Sequence, residues 1–209
     1  TGGNVQFLCN NAGVSGGVGA DGLWNVAKED WDWVLGVNFS GVLHGIRHFV
    51  RRMLEKGEAG HIVNTASAAG LVTGGMGAPY TISKHGVVAL SELLYKDLKQ
   101  RNAKLSASVL CPGWVDTKII DSARNRPDEL KPAEAAPAAL TPAMQMRMQM
   151  VREFLKNGVP PQTIAGLVLD AIRSDTFYIV PVQTHIGDAV ALRLEDIRLR
   201  RNPTIAPPL

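Results

Sequence analysis

Tyr80 and Lys84 stand four residues apart in A-P-Y-T-I-S-K (78–84), immediately after a proline that suits the first turn of a helix. At that spacing both side chains rise from one helix face near its N-terminus. A phenol ionises near pH 10, too high for an efficient base at neutral pH. A nearby ammonium and the positive end of a helix favour phenolate and lower that value. Proton exchange with an alcohol or carbonyl oxygen then becomes feasible. An exposed Tyr/Lys pair fits the same letters, so the pair needs company. Ser67 supplies it, thirteen residues earlier in N-T-A-S-A-A-G. Its hydroxyl can hydrogen-bond the oxygen with which Tyr80 exchanges a proton. No G-x-S-x-G turn surrounds Ser67, which argues against a nucleophile. No histidine has metal-ligand spacing to a second His or Cys.

The elements that must position these residues alternate between strand and helix. N-V-Q-F-L-C (4–9) reads as a buried strand closed by Asn10-Asn11-Ala12-Gly13. A helix is predicted over 30–56, with Trp31, Val34, Leu35, Asn38, Val42, Ile46, Phe49, Val50 and Met53 on one face and Gly57 as its stop. H-I-V-N-T (61–65) is the second strand, and Pro79 opens a helix running to about Gln100. L-S-A-S-V-L-C (105–111), stopped by Pro112-Gly113, is the third strand. F-Y-I-V-P-V (177–182) is the fourth, after a helix opening at Pro160-Pro161. A last helix is predicted over 186–200. This alternation predicts a single α/β domain, a doubly wound, Rossmann-like parallel sheet with helices on both faces. In such sheets ligands bind beyond the carboxyl ends of the strands. Asn10-Asn11, Ser67 and the stretch from Pro112-Gly113 to Thr117 all fall there.

Asn38 sits in the middle of an apolar helix face. An unsatisfied buried amide costs about 1–3 kcal/mol. Neighbouring backbone could satisfy it, or it could hold water near an active site; both readings stand.

The 209 residues suit one domain, and the net charge of +3 comes from dispersed basic residues. The Arg193–Arg201 run, broken by Glu195 and Asp196, reads as a solvated helix face, so no nucleic-acid partner is expected. Cys9 and Cys111 read as buried free thiols, in keeping with a cytoplasmic protein. No apolar run approaches the ~18 residues of a membrane span.

With these residues in order, the chain resembles the short-chain dehydrogenase/reductase family. N-N-A-G (10–13), V-N-F-S-G with Asn38, N-T-A-S-A-A-G with Ser67, Y-T-I-S-K, and P-G-W-V-D-T (112–117) follow the family's order and spacing from residue 4 to about 120. The resemblance implies that Tyr80 is the catalytic acid/base and that Ser67 orients and polarises the substrate carbonyl. It implies that Lys84 lowers the tyrosine pKa and binds the nicotinamide ribose, while Asn38 holds a relay water. Asn10, Ala12 and Gly13 would line the adenosine side of the cofactor, and Pro112, Gly113, Val115 and Thr117 the nicotinamide side. The implied cofactor is NAD or NADP, and the implied reaction is hydride transfer between it and a secondary alcohol or ketone. Epimerase and dehydratase variants share the same Y-x-x-x-K.

The family's T-G-x-x-x-G-x-G turn has no match in the sequence. The expectation is therefore the C-terminal, catalytic half of the family fold, with a hydrophobic parallel edge left at the first strand. The insert from about Ile119 to Gly158 takes the place of the family's substrate lid. Its Met144, Met146, Met148, Met150, Phe154 and Leu155 suit a bulky apolar alcohol or ketone. They equally suit a helix packed onto its domain. Family resemblance also implies a homodimer or homotetramer through the 30–56 and 79–100 helices. The competing reading is a non-catalytic remnant or interaction module that pairs its open edge with another chain.

Overall fold

Parallel pairing joins β1 (Phe7–Asn10) to β2 (Gly60–Thr65), β2 to β3 (Leu105–Leu110), and β3 to β4 (Tyr178–Ile179). The strand order is thus β1-β2-β3-β4. The structure is a computed structural model in which residues 4–16, 22–74, 77–131, 141–181 and 186–205 are described. Val182, the last residue of the strand expected over 177–182, and positions 132–140 of the insert lie outside the described residues. Among the described residues six α-helices connect or flank the strands: α1 (Lys28–Leu35), α2 (Gly41–Lys56), α3 (Ala78–Gln100), α4 (Pro142–Lys156), α5 (Pro161–Ser174) and α6 (Ile186–Leu199). The α/β parallel architecture expected from the alternating pattern is the one observed.

Side chains alternate across the strands and so build two different layers. On one face Ile62, Leu105 and Ala107 meet Val50, Met53, Leu94 and Leu98 of α2 and α3. Val109 and Cys111 meet Val42, Val87 and Val88 on the same face. Ile62, Val87 and Val109 are wholly buried, each contributing about 1.5–3 kcal/mol of apolar burial. On the other face Val63, Leu110 and Ile179 pack against Ile164 and Ala171 of α5.

The long helix predicted over 30–56 is interrupted. A π turn, Gly36–Ser40, separates α1 from α2 and carries Asn38 at its centre. The inward positions Val34, Asn38 and Val42 are spaced by four residues, which overshoots a 3.6-residue turn by about 40° per step. One wide turn absorbs that drift and keeps all three buried. Trp33, not Trp31, is the tryptophan that enters the core. The helix ends where expected, at Gly57 in the left-handed conformation with φ 65°.

Cys111 is buried, whereas Cys9 is exposed, contrary to expectation. Its neighbour Phe7 is 61% exposed. Both side chains lie on the α5 face of the sheet, at β1, the edge strand of the described sheet, where the cover given by α5 has run out. No helix among the described residues is long and apolar enough to cross a membrane.

Candidate active site

The carboxyl ends of β2 and β3 release the chain into two turns that meet over the start of α3. Ser67 caps the short turn Ala68–Gly70, its hydroxyl accepting from the Ala69 amide at 3.2 Å. That turn packs tightly on α3. A β-carbon at Gly70 would stand 2.6 Å from the Lys84 carbonyl oxygen, so only glycine fits without displacing α3. Pro79 sits in the first turn of α3, one residue before Tyr80, where its fixed φ suits the helix start. Tyr80 and Lys84 consequently point back toward Ser67 and β2. The Ser67 hydroxyl donates to the Pro112 carbonyl at 3.5 Å and lines the same cavity as the Tyr80 phenol. The Lys84 ammonium donates to the Thr65 carbonyl at 2.9 Å and stands 5.6 Å from the centre of the Tyr80 ring.

Both groups are nearly dry: Tyr80 is 6% and Lys84 2% exposed. Loss of water pushes the lysine down to about 8, with only a small opposing influence from Cys111. The same loss of water raises the phenol above its ordinary value, and the Ser67 hydroxyl acts in the opposite sense. The lowered phenol pKa expected from the sequence is therefore not what this geometry produces. Lys84 faces the ring and the Thr65 carbonyl, and burial outweighs what it offers the hydroxyl.

Asn38 is completely buried, and backbone partners satisfy it. Its Oδ1 accepts from the Val14 amide at 2.8 Å. Its Nδ2 donates to the Val14 carbonyl at 3.0 Å and to the Ser83 hydroxyl at 3.2 Å. Ser83 in turn donates to the Tyr80 carbonyl at 2.7 Å. Of the two readings of Asn38, backbone satisfaction describes its amide. The amide ties the loop after β1 to the first turn of α3.

A cavity of about 970 Å³ opens in front of Tyr80. Its lining brings together Gly13, Ser67, Tyr80, Lys84, Pro112, Gly113, Val115 and Thr117. Asn10, Ala12 and Asn38 are not on that wall. Strand alternation turns Asn10 to the other face, where it donates to the Asn64 side chain at 2.8 Å and lies against Gly45 of α2. Ala12 is exposed. Asn11 lines the cavity in their place, its Oδ1 accepting from the Thr65 hydroxyl at 3.1 Å. Period-two counting from β1 would have chosen Asn11.

The far wall comes from the segment after β3. Val151 and Leu155 of α4 are buried and line the cavity. Met146 and Met150, expected to offer an apolar surface to a ligand, are 66% and 50% exposed and lie outside it. Phe154 stacks on Trp114 with ring centres 5.3 Å apart. Two connections went unread in the sequence. Arg126 pairs with Asp30 at 2.6 Å and lies 4.8 Å over the Trp33 ring, anchoring residues 119–130 to α1. Ser122 and Ser15, 107 positions apart, interlock their hydroxyl and backbone groups. Serines carry no periodic signal, so nothing in the pattern pointed to them. Among the described residues no group of three or more His, Cys, Asp or Glu could hold a metal ion.

The sequence profile of the short chain dehydrogenase family (adh_short) matches residues 1–128 of the 209. The chain belongs to the short chain dehydrogenase family. It is 34% identical over 177 residues to a 1-deoxy-11-beta-hydroxypentalenate dehydrogenase of Streptomyces exfoliatus, covering 85% of this chain and 54% of that protein. It is 30% identical over 181 residues to a CLA biosynthesis dehydrogenase/reductase of Lactiplantibacillus plantarum, covering 85% of this chain and 61% of that protein. The crystal structure of a short chain dehydrogenase/reductase from Burkholderia phymatum in complex with NAD superposes with a TM-score of 0.89. That pair is 41% identical, over 99% of this chain and 71% of the other. The chain thus spans 54% and 61% of the length of those two curated relatives.

The residues present suit a nicotinamide ribose. A β-carbon at Gly13 would lie 3.5 Å from both the Lys84 ammonium and Asn38 Oδ1, so glycine leaves the approach to the ammonium open. Thr65 takes one of the three donors of Lys84, leaving others to face the cavity.

Proposed function

We propose that this short chain dehydrogenase transfers hydride between NAD or NADP and a secondary alcohol or ketone with a bulky apolar body. One observation carries the reading: the Ser67 hydroxyl, the Tyr80 phenol and the Lys84 ammonium converge on a single cavity. Ser67 holds the reacting oxygen, and Tyr80 gives or takes its proton. Lys84 supplies positive charge and hydrogen-bonds the ribose hydroxyls. Pro112, Gly113, Val115 and Thr117 border the nicotinamide, and Gly13 the ribose. The bound nicotinamide supplies or accepts the hydride. Asn38 serves by fixing the loop that backs Lys84. The described parts of the insert, residues 119–131 and 141–158, act as the substrate lid, and the buried apolar pair Val151 and Leu155 supports an apolar substrate.

The reading extends to assembly. A homodimer or homotetramer through α2 and α3 is supported by Ile82 and Leu93, which are 52% and 60% exposed on α3. Further strands beside β1, supplying the family's phosphate-binding turn, are supported by the bare Phe7 on that edge. A cytoplasmic location is supported by the two free cysteines. Neither nucleic acid nor membrane enters as a partner. The same bare edge supports the second reading, an interaction module that captures another chain by strand addition.

The test is absorbance at 340 nm with NADH and NADPH against cyclohexanone, a 3-ketosteroid and a short polar ketose. Turnover of the apolar ketones is expected. Turnover of the ketose alone would overturn the apolar assignment. Absence of turnover, with NADH failing to bind, would favour the interaction module.

A further inference from the structure

Two adjacent residues of the loop after β1 are each gripped at both backbone groups by a distant side chain. Asn38 holds the amide and the carbonyl of Val14 from the helix side. Ser122 does the same to Ser15 from the opposite side. Its hydroxyl accepts from the Ser15 amide at 2.9 Å and donates to the Ser15 carbonyl at 3.1 Å. The Ser15 hydroxyl then donates to the Ile119 carbonyl at 2.8 Å. Every proton in this circuit has an acceptor, and both serines are buried, Ser15 at 7% and Ser122 at 3% exposure.

What the circuit holds in place is the surround of Tyr80. Val14 and Ile119, the residues next to or within the two bonded segments, belong to the apolar cluster that contains Tyr80, together with Trp33, Val34 and Ala69. Val14 comes from the β1 loop and Ile119 from the segment after β3, and no strand joins them. The serine knot fastens one to the other.

We propose that Ser15 and Ser122 are positioning residues for proton transfer: their knot, on the wall of the same cavity, holds Val14 and Ile119 in the apolar cluster around Tyr80 and so keeps water off the sides of the ring that do not face the cavity. The proposal rests on Tyr80 being the acid/base of the reading above, but its test does not need turnover. Removing the Ser122 hydroxyl leaves the Ser15 amide and carbonyl unpaired at the cavity wall, where water from the cavity moves in between the two segments to satisfy them. That water relieves the burial which now raises the phenol. Among the described residues the ionisable groups around Tyr80 are Lys84 on its own helix, Cys111 behind Lys84, the Arg126–Asp30 pair behind Trp33, and Lys118 and Arg124 on the cavity wall. None of these is altered by the substitution.

The experiment is carbon-13 NMR of the full chain labelled at the tyrosine ζ-carbon. Tyr80→Phe assigns its resonance among the three tyrosines. In Ser122→Ala the Tyr80 phenolate should form at a lower pH than in the wild type. Ser122→Thr, which keeps the hydroxyl, should restore the wild-type titration. If Ser122→Ala does not fold, Ser15→Ala, which cuts the bond to Ile119, should shift the titration in the same direction. A folded Ser122→Ala or Ser15→Ala that titrates like wild type overturns the proposal. With turnover in hand, the phenol-dependent limb of the kcat/KM profile should move as the NMR titration does. An inactive wild type would count against the dehydrogenase reading and leave the NMR result to decide this one.

Discussion

Replacing Asn38 by alanine removes three hydrogen bonds that no neighbour can remake. The Val14 amide and carbonyl lose their partners at 2.8 and 3.0 Å, and the Ser83 hydroxyl loses a donor at 3.2 Å. Val14 is 6% exposed, so water does not reach its backbone without opening the loop. Each unpaired buried group costs about 1–3 kcal/mol, and the vacated amide adds a small cavity. About 3–5 kcal/mol of stability should disappear, a large share of the roughly 5–15 kcal/mol typical of a domain. Equilibrium urea unfolding followed by tryptophan fluorescence measures it, since Trp33 sits in the cluster with Val14. Asn38→Asp keeps the acceptor for the Val14 amide, loses both donors and buries a charge, so it should do no better. A loss below about 1 kcal/mol in Asn38→Ala would show that the loop has other support. It would refute the assignment of Asn38 as the tie between β1 and α3.

Gly70→Ala would drive a methyl into the Lys84 carbonyl oxygen and carbon at 2.6 and 2.9 Å. Turnover should fall at least tenfold while NADH-independent stability falls by about 1–3 kcal/mol, read by kinetics and urea unfolding side by side. Arg126→Ala should loosen residues 119–130 by removing both the Asp30 pair and the contact on Trp33, seen as faster proteolysis within that segment. His61 is 4% exposed, its Nε2 lies 2.7 Å from the Ser108 hydroxyl, and burial holds its pKa below 6.5. Its contribution is whole above pH 6.5 and lost as pH falls below that value, because the unfolded chain then binds the extra proton. The unfolding free energy from urea titrations should decline from pH 7 to pH 5 by at most ~1.4 kcal/mol per pH unit for this group. His61→Gln should flatten that decline.

The parallel sheet was legible because apolar stretches of strand length stand at 61–65 and 105–111, each closed by a turn and each followed or preceded by a helical pattern. Pro79 and Gly57 marked helix ends through backbone restrictions that act locally. The meeting of Ser67, Tyr80 and Lys84 at one cavity was legible for the same reason: Tyr80 and Lys84 lie on one element, and Ser67 follows the strand before it. What escaped depends on the third dimension. The choice between Asn10 and Asn11 turns on which side of β1 faces the cavity. The burial of Trp33 in place of Trp31 follows from a helical register that the apolar spacing alone did not fix. The exposure of Cys9 follows from which neighbours cover β1. The direction of the Tyr80 shift depends on how dry its surround is, which no spacing reveals.

The most direct measurement on the central claim compares wild type with Tyr80→Phe for NADH binding and for ketone reduction in single turnovers. Phenylalanine keeps the ring beneath the Lys84 ammonium and removes only the hydroxyl. NADH affinity should change less than threefold, and the single-turnover rate should fall by about 10²–10⁴, the usual worth of a positioned proton donor. A variant that reduces the ketone within threefold of wild type would contradict the account.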